Sequence, residues 1–197
     1  MTIRAVLWDA DGVLQKLPGF DELWRFLPEE TRLAVLADTF ADMSEVLTGR
    51  IDMAARLDEV LARHALSVDD TAAVRATWSE LPPVDEARSV VAELRRQGVT
   101  CVLATNQDTL REQTMRPIYE PLMDRCYFSS AMGVAKPSAD FFHHIATDLQ
   151  MSVSELLFID DSQANVDGAR AAGLLAECWH HDHGVDLADV LRRHGLA

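Results

Sequence analysis

The stretch VLWDADGVL, Val6–Leu14, places two aspartates one residue apart at the end of an apolar run. The segment leading into them, IRAVLW (Ile3–Trp8), is nearly continuous in apolar residues, the pattern of a strand covered on both faces. A buried strand does not ordinarily run into a pair of like charges, so Asp9 and Asp11 need a reason to be there. DADG is also good turn chemistry, and an Asx turn alone would account for it. The rest of the chain decides between the two readings.

Outward from this stretch the same pattern recurs. VTCVLAT (Val99–Thr105), CYFSS, LLFI (Leu156–Ile159) and LLAECW read as further short strands. Helical patterns separate them: EARSVVAELRRQ stopping at Gly98, part of Asp108–Met115, PSADFFHHIATDLQ capped by Ser138, DDSQANVDGARAAG ending at Gly173, and DLADVLRRHG. This alternation predicts a parallel sheet with helices on both faces. One region does not alternate. From about Phe20 to Trp78 the period is helical, with Leu33, Leu36, Phe40 and Met43, then Leu57, Val60, Leu61 and His64, at three- and four-residue steps, and Asp52 as an N-cap. LPPVD, Leu81–Asp85, breaks the chain after it. The expected architecture is α/β: a Rossmann-like three-layer α/β/α core (residues 1–15 and 82–197) with an α-helical cap (residues 16–81) inserted after the first strand.

Composition narrows the function. The chain has 197 residues and a net charge of −14, which disfavours nucleic acid and anionic membranes as partners. No run approaches the roughly 18 apolar residues of a spanning helix, and the N-terminus does not read as a secretory signal. Cys101, Cys126 and Cys178 are widely spaced and odd in number, so the expectation is three buried thiols in a reducing cytoplasm, with neither a disulfide framework nor a zinc site. A monomer or homodimer is expected. Sixteen arginines stand against two lysines, Lys16 and Lys136, which singles out each lysine.

In open parallel sheets, ligands bind beyond the carboxyl ends of the strands. Four polar features fall at such ends: Asp9 with Asp11, Thr105 with Asn106, Lys136 in GVAKP, and Asp160 with Asp161. Four carboxylates brought together repel one another unless some are protonated or a cation sits between them. Oxygen ligands suit Mg²⁺, which keeps coordination positions for water and a phosphate oxygen. A metal, a lysine and backbone N–H groups would also let an acidic protein hold an anion locally.

Together LWDADGVL, LATN, GVAKPSADFF and LFIDDSQANVDGARAAG resemble, in order and spacing, the four motifs of the haloacid dehalogenase superfamily. The LTGRID turn resembles the small helical cap of the subgroup that includes beta-phosphoglucomutase, phosphoglycolate phosphatase and sugar-phosphate phosphatases. The resemblance implies a cytoplasmic, Mg²⁺-dependent phosphatase acting on a small phosphorylated metabolite, such as a sugar phosphate. Asp9 matches the nucleophile that forms an aspartyl-phosphate, and Asp11 the general acid and base whose carbonyl also meets the metal. Thr105 and the Asn106 backbone N–H match the phosphoryl-binding position. Lys136 matches the lysine that neutralises phosphate and orients Asp9. Asp161 matches a metal ligand, with Asp160 supporting it, while Asn165 stands where many relatives carry another acid. Arg50, in the cap turn, is a candidate for a second anionic group of the substrate, or belongs to a plain helix–helix turn.

Simpler roles exist for several of these residues. Thr105–Asn106 and Asp160–Asp161 fit helix capping, and Lys136 fits a solvated loop. HHDH (His180–His183) reads as a polar loop more readily than as a second metal site. Two other functions share the motifs: a phosphomutase of the beta-phosphoglucomutase type, and a non-catalytic module that binds a phosphate ligand.

Overall fold

The computed structural model describes residues 2–17 and 23–196. The predicted start of the helical stretch, at Phe20, lies outside the described residues.

Among the described residues the first strand, β1 (Ala5–Trp8), is followed by four helices: α1 (Glu29–Thr39), α2 (Met43–Leu47), α3 (Met53–Arg63) and α4 (Val68–Trp78). Alternation then begins with α5 (Asp85–Arg96), β2 (Thr100–Thr105), α6 (Thr109–Tyr119), β3 (Arg125–Phe128), the short α7 (Ser129–Met132) and α8 (Ala139–Leu149). It closes with β4 (Leu156–Asp160), α9 (Gln163–Ala171), β5 (Leu175–Cys178) and α10 (Leu187–Arg192). The five strands form one parallel sheet in the order β3-β2-β1-β4-β5. β1 lies at its centre, flanked by β2 and β4, so the chain changes direction across the sheet there.

Successive strand residues point to opposite faces. On one face Val6, Trp8, Leu103, Leu157 and Ile159 pack with Val91 and Leu94 of α5, Met115 and Tyr119 of α6, and Val190 and Leu191 of α10. On the other, Ala5, Leu7, Val102, Ala104 and Phe158 pack with Phe141, Phe142 and Ile145 of α8 and Val166 and Ala169 of α9. All four β1 residues are fully buried, which explains the unbroken apolar run in the sequence. The three-layer α/β/α core is the architecture expected.

The inserted helices have a core of their own. Val35, Leu36, Val46, Leu57, Val60, Val74 and Trp78 cluster together, and Trp78 meets Trp24 and Phe40 at ring-centroid distances of 5.9 and 5.5 Å. The outgoing and returning chains run side by side where they join the sheet. Lys16 N–H donates to Pro82 O at 2.8 Å, and Val84 N–H to Leu14 O at 3.0 Å.

The structure departs from the sequence reading at three places. The pattern from Leu33 to Met43 is not one helix, because Asp42 takes a left-handed conformation (φ 53°) and restarts the chain as α2. Aspartate tolerates that conformation better than most residues. The helix expected within Asp108–Met115 runs on to Tyr119 despite Pro117, since Met115 and Tyr119 are both buried in the core and hold its last turn. The expectation of three buried thiols is corrected. Cys101 is buried, Cys126 half-buried, and Cys178 exposed at the end of the edge strand β5.

Candidate active site

Trp8 pairs with Leu103 on one side and Ile159 on the other, so β1, β2 and β4 end almost level. Asp9 follows β1, Thr105 closes β2 and Asp160 closes β4. The register of three parallel strands thus brings residues about 50 to 150 positions apart to one edge of the sheet.

Lys136 arrives from the loop between α7 and α8 and is wholly buried. Its Nζ donates to Asp9 Oδ1 at 2.7 Å and to Asp160 Oδ2 at 2.6 Å. The loop is held by the Asn106 side chain, whose amide donates to Lys136 O and whose Oδ1 accepts from Lys136 N–H, each at 2.9 Å. Helix α9 closes from behind, and a Cβ at Gly168 would collide with Pro137 O. Asn106 therefore has a positioning job beyond the backbone N–H expected of it.

Asp160 Oδ1 accepts from Ser162 N–H at 2.8 Å, and Asn165 Nδ2 lies 3.0 and 3.2 Å from its two oxygens. The open role of Asn165 is thereby answered: its amide orients Asp160. Asp161, less buried, lies close against Gly12.

The electrostatics of this cluster are strained. Burial pushes the Asp9 carboxyl well above the ordinary carboxylate range; Lys136 opposes the shift, and the charges of Asp160 and Asp11 add to it. Burial, then Asp160, raises Asp161 likewise. Burial works against the Lys136 ammonium, but Asp9 and Asp160 outweigh it and hold its pKa above the usual lysine value. The site is short of positive charge even with Lys136 in place. Carboxylate oxygens of Asp9, Asp160 and Asp161 lie within 4.8 Å of one another, an all-oxygen donor set that fits a hard divalent cation such as Mg²⁺. Beside them the Thr105 hydroxyl is buried with no hydrogen-bond partner among the described residues, a position that a native fold rarely leaves unexplained.

Asp11 points elsewhere. Its Oδ1 accepts from Gln15 Nε2 and Arg111 Nη2, both at 2.7 Å, and its Oδ2 from Gln107 Nε2 at 2.6 Å. Its carboxylate faces a cavity of about 150 Å³ between the sheet edge and the inserted helices. Gln15, Gln107 and Arg111 were not anticipated from the sequence. The one available signal is their place directly after LATN, with Gln107 just before the Asp108 N-cap and Arg111 in the first turn of α6.

Arg50 is not brought to the site. Its side chain is 65% exposed and pairs with Glu45 at 2.9 Å. The reason is local: Gly49 (φ +70°) turns the chain back so that Arg50 N–H bonds Glu45 O at the end of α2. Lys16 is also exposed. His180, His181 and Asp182 form a second cluster close enough to share a cation. Its polar groups also close the loop on itself and on the first turn, with Asp182 N–H donating to His180 Nδ1 at 3.1 Å and His181 N–H to Gly12 O at 3.1 Å.

A family model described as haloacid dehalogenase-like hydrolase matches residues 3–173. The chain is a haloacid dehalogenase-like hydrolase. Relatives of this hydrolase include a sesquiterpene phosphatase of Aspergillus oryzae, 32% identical over 61% of this chain and 58% of that protein. A phosphoglycolate phosphatase of Pectobacterium atrosepticum is 28% identical over 87% of this chain and 77% of its own length. The match thus spans little more than half of the Aspergillus relative. A Bacteroides thetaiotaomicron enzyme of the same family, crystallised with magnesium and inorganic phosphate, superposes with a TM-score of 0.77 at 21% identity, covering 95% of this chain and 98% of that one. No helix among the described residues is long and apolar enough to cross a membrane.

Proposed function

We propose that this hydrolase is a Mg²⁺-dependent phosphatase that cleaves a small phosphate monoester through Asp9. The observation that carries the reading is the buried Lys136 bridge between Asp9 and Asp160, set beside the partnerless Thr105 hydroxyl. Lys136 aims one oxygen of Asp9 and leaves the other for attack. Thr105 Oγ1 supplies a hydrogen bond to a phosphoryl oxygen. Magnesium in the family relative and phosphatase names among the curated relatives support the same chemistry.

In this reading Asp9 attacks phosphorus, the P–O bond to the organic group breaks, and the leaving oxygen takes a proton from Asp11. Two N–H donors occupy Asp11 Oδ1 but only one occupies Oδ2, which leaves a lone pair of Oδ2 for that proton. Water then attacks the phosphorus of the aspartyl-phosphate and returns a proton to Asp11. Phosphate leaves and the Asp9 carboxylate is restored. Asp9, Asp161 and the Asp11 carbonyl would hold Mg²⁺, with Asp160 behind them. The ion supplies charge neutralisation at the phosphoryl oxygens. Residues 16–81 act as a cap over a core of residues 1–15 and 82–197, closing on the paired hinge chains to exclude water. In keeping with this, Thr109 Oγ1 of the core donates to Asp52 at the start of α3 at 2.9 Å.

The testing experiment is phosphate release from a panel of monoesters with Mg²⁺ and with EDTA. Turnover that disappears with EDTA and returns with added Mg²⁺ is the expected result. Equal release in EDTA, or none from any ester, would contradict the proposal.

Gly12 offers a separate check on the metal ligands. It sits at φ +75°, and a Cβ there would lie 2.5 Å from Asp161 Oδ2. Gly12→Ala is expected to weaken Mg²⁺ binding roughly 10- to 100-fold by pushing Asp161 aside, read as the Mg²⁺ concentration for half-maximal thermal stabilisation. An unchanged Mg²⁺ titration would remove Asp161 from the ligand set.

A further inference from the structure

Away from Asp11, most of the cavity surface is apolar. Leu17, Leu23, Phe40, Met43, Leu47 and Trp78 line it from the inserted segment. The polar side chains among its walls have their donors largely engaged within the protein. Thr77 Oγ1 donates to Ala73 O at 3.0 Å, and Trp78 Nε1 to Asp108 at 3.2 Å. The Asn106 amide donates to Lys136 O, and Gln107 Nε2 to Asp11. Arg111 Nε is one donor left without a partner among the described residues.

Charge points the same way. Among the described lining residues Arg111 is the one cation, and it is already paired with Asp11 at 2.7 Å, while Glu80 and Asp108 add acidic groups. Among these residues a second anionic group on a substrate would find no cation that is not already paired. The several hydroxyls of a sugar would lose water and find few free donors among these residues.

We infer that the cavity takes the organic part of the substrate, and that this part is a small apolar group: a short branched or straight alkyl or alkenyl chain, or a single aromatic ring. The inference rests on the phosphatase reading, because Asp11, which meets the leaving oxygen in that reading, forms the cavity floor. A volume of about 150 Å³ suits a group of that size; apolar cavities of about this volume hold a benzene molecule. The same walls weigh against the sugar phosphate that the family resemblance suggested.

The test is kcat/KM with Mg²⁺ for methyl, butyl, hexyl and benzyl phosphates against glucose 6-phosphate and phosphoglycolate. The expected result is a rise of roughly fourfold per added methylene up to hexyl. Hexyl and benzyl phosphates are expected to exceed the sugar phosphate and phosphoglycolate by about 100-fold or more. Met43→Gln and Leu47→Gln are expected to flatten that rise, with the loss growing with chain length. A flat series, or a sugar phosphate or phosphoglycolate turned over as well as hexyl phosphate, would overturn the inference while leaving the phosphatase reading intact. Absence of phosphate release from every ester would instead remove the phosphatase reading. Calorimetry then decides on the cavity alone: hexylphosphonate binding tighter than methylphosphonate sustains it as an apolar ligand site, and equal affinities overturn it.

Discussion

Asp9→Asn is expected to lower phosphate release by about 10⁴-fold or more while leaving the fold intact. The substitution exchanges one carboxylate oxygen for an amide nitrogen of nearly the same size. The remaining carbonyl oxygen can still accept from Lys136 Nζ, and Lys136 keeps its bond to Asp160. Packing is unchanged, but an amide is not a nucleophile toward phosphorus. The loss is therefore expected in kcat, with the melting temperature and the affinity for inorganic phosphate little altered. Steady-state kinetics beside a calorimetric scan separate these quantities. A variant that keeps wild-type kcat would show that Asp9 does not attack; one that loses its melting transition would show that the aspartate is structural.

The second large effect is expected at Lys136. Its ammonium is wholly buried between two carboxylates and has the Phe158 ring at 5.1 Å. Lys136→Met removes the charge but fills most of the space, so Asp9 and Asp160 face each other in a dry site with no counterion. Breaking such a buried arrangement costs about 3–5 kcal/mol, which for a chain of this size lowers the melting temperature by roughly 10 °C. Mg²⁺ is expected to restore part of that stability, because it brings positive charge to the same carboxylates. Activity is expected to stay low even then, since the group that aims Asp9 is gone. Lys136→Arg is not expected to rescue it, as a planar guanidinium does not fit a site shaped for a compact ammonium. Scanning calorimetry across a Mg²⁺ titration reads all of this. A Lys136→Met variant as stable as wild type without Mg²⁺ would show that the buried pairs contribute little.

How far the sequence could carry the reading follows from which forces act locally. The core strands are legible because a central parallel strand must be apolar on both faces, as Ala5–Trp8 is. The meeting of Asp9, Asp160 and Lys136 is legible because a parallel sheet brings strand ends to one edge, and charged residues there stand out against apolar runs. Asp52 and Ser138 as caps are equally local, and each accepts a backbone N–H of its helix. What escaped depends on tertiary context. Apolar spacing does not show the restart at Asp42, and Pro117 marks a helix end only until the burial of Tyr119 is known. The clasp of Asn106 on Lys136 and the grip of Arg111 on Asp11 join residues 30 and 100 positions apart through side-chain contacts that no periodicity encodes. The outward course of Arg50 depends on one glycine turn. Cys178 is exposed because its strand is at the sheet edge, and edge position is a property of the strand order.

In the proposed mechanism a phosphoryl group resides on Asp9 during turnover. The most direct measurement is to quench the enzyme with acid during turnover of its best ester with Mg²⁺, digest it with trypsin, and weigh the peptide from Ala5 to Lys16, which contains both Asp9 and Asp11. The expected result is a fraction of that peptide heavier by one phosphoryl group, with fragmentation placing it on Asp9 and with none in Asp9→Asn. An unmodified peptide at every time point during active turnover, or a phosphoryl group located elsewhere, would contradict the mechanism.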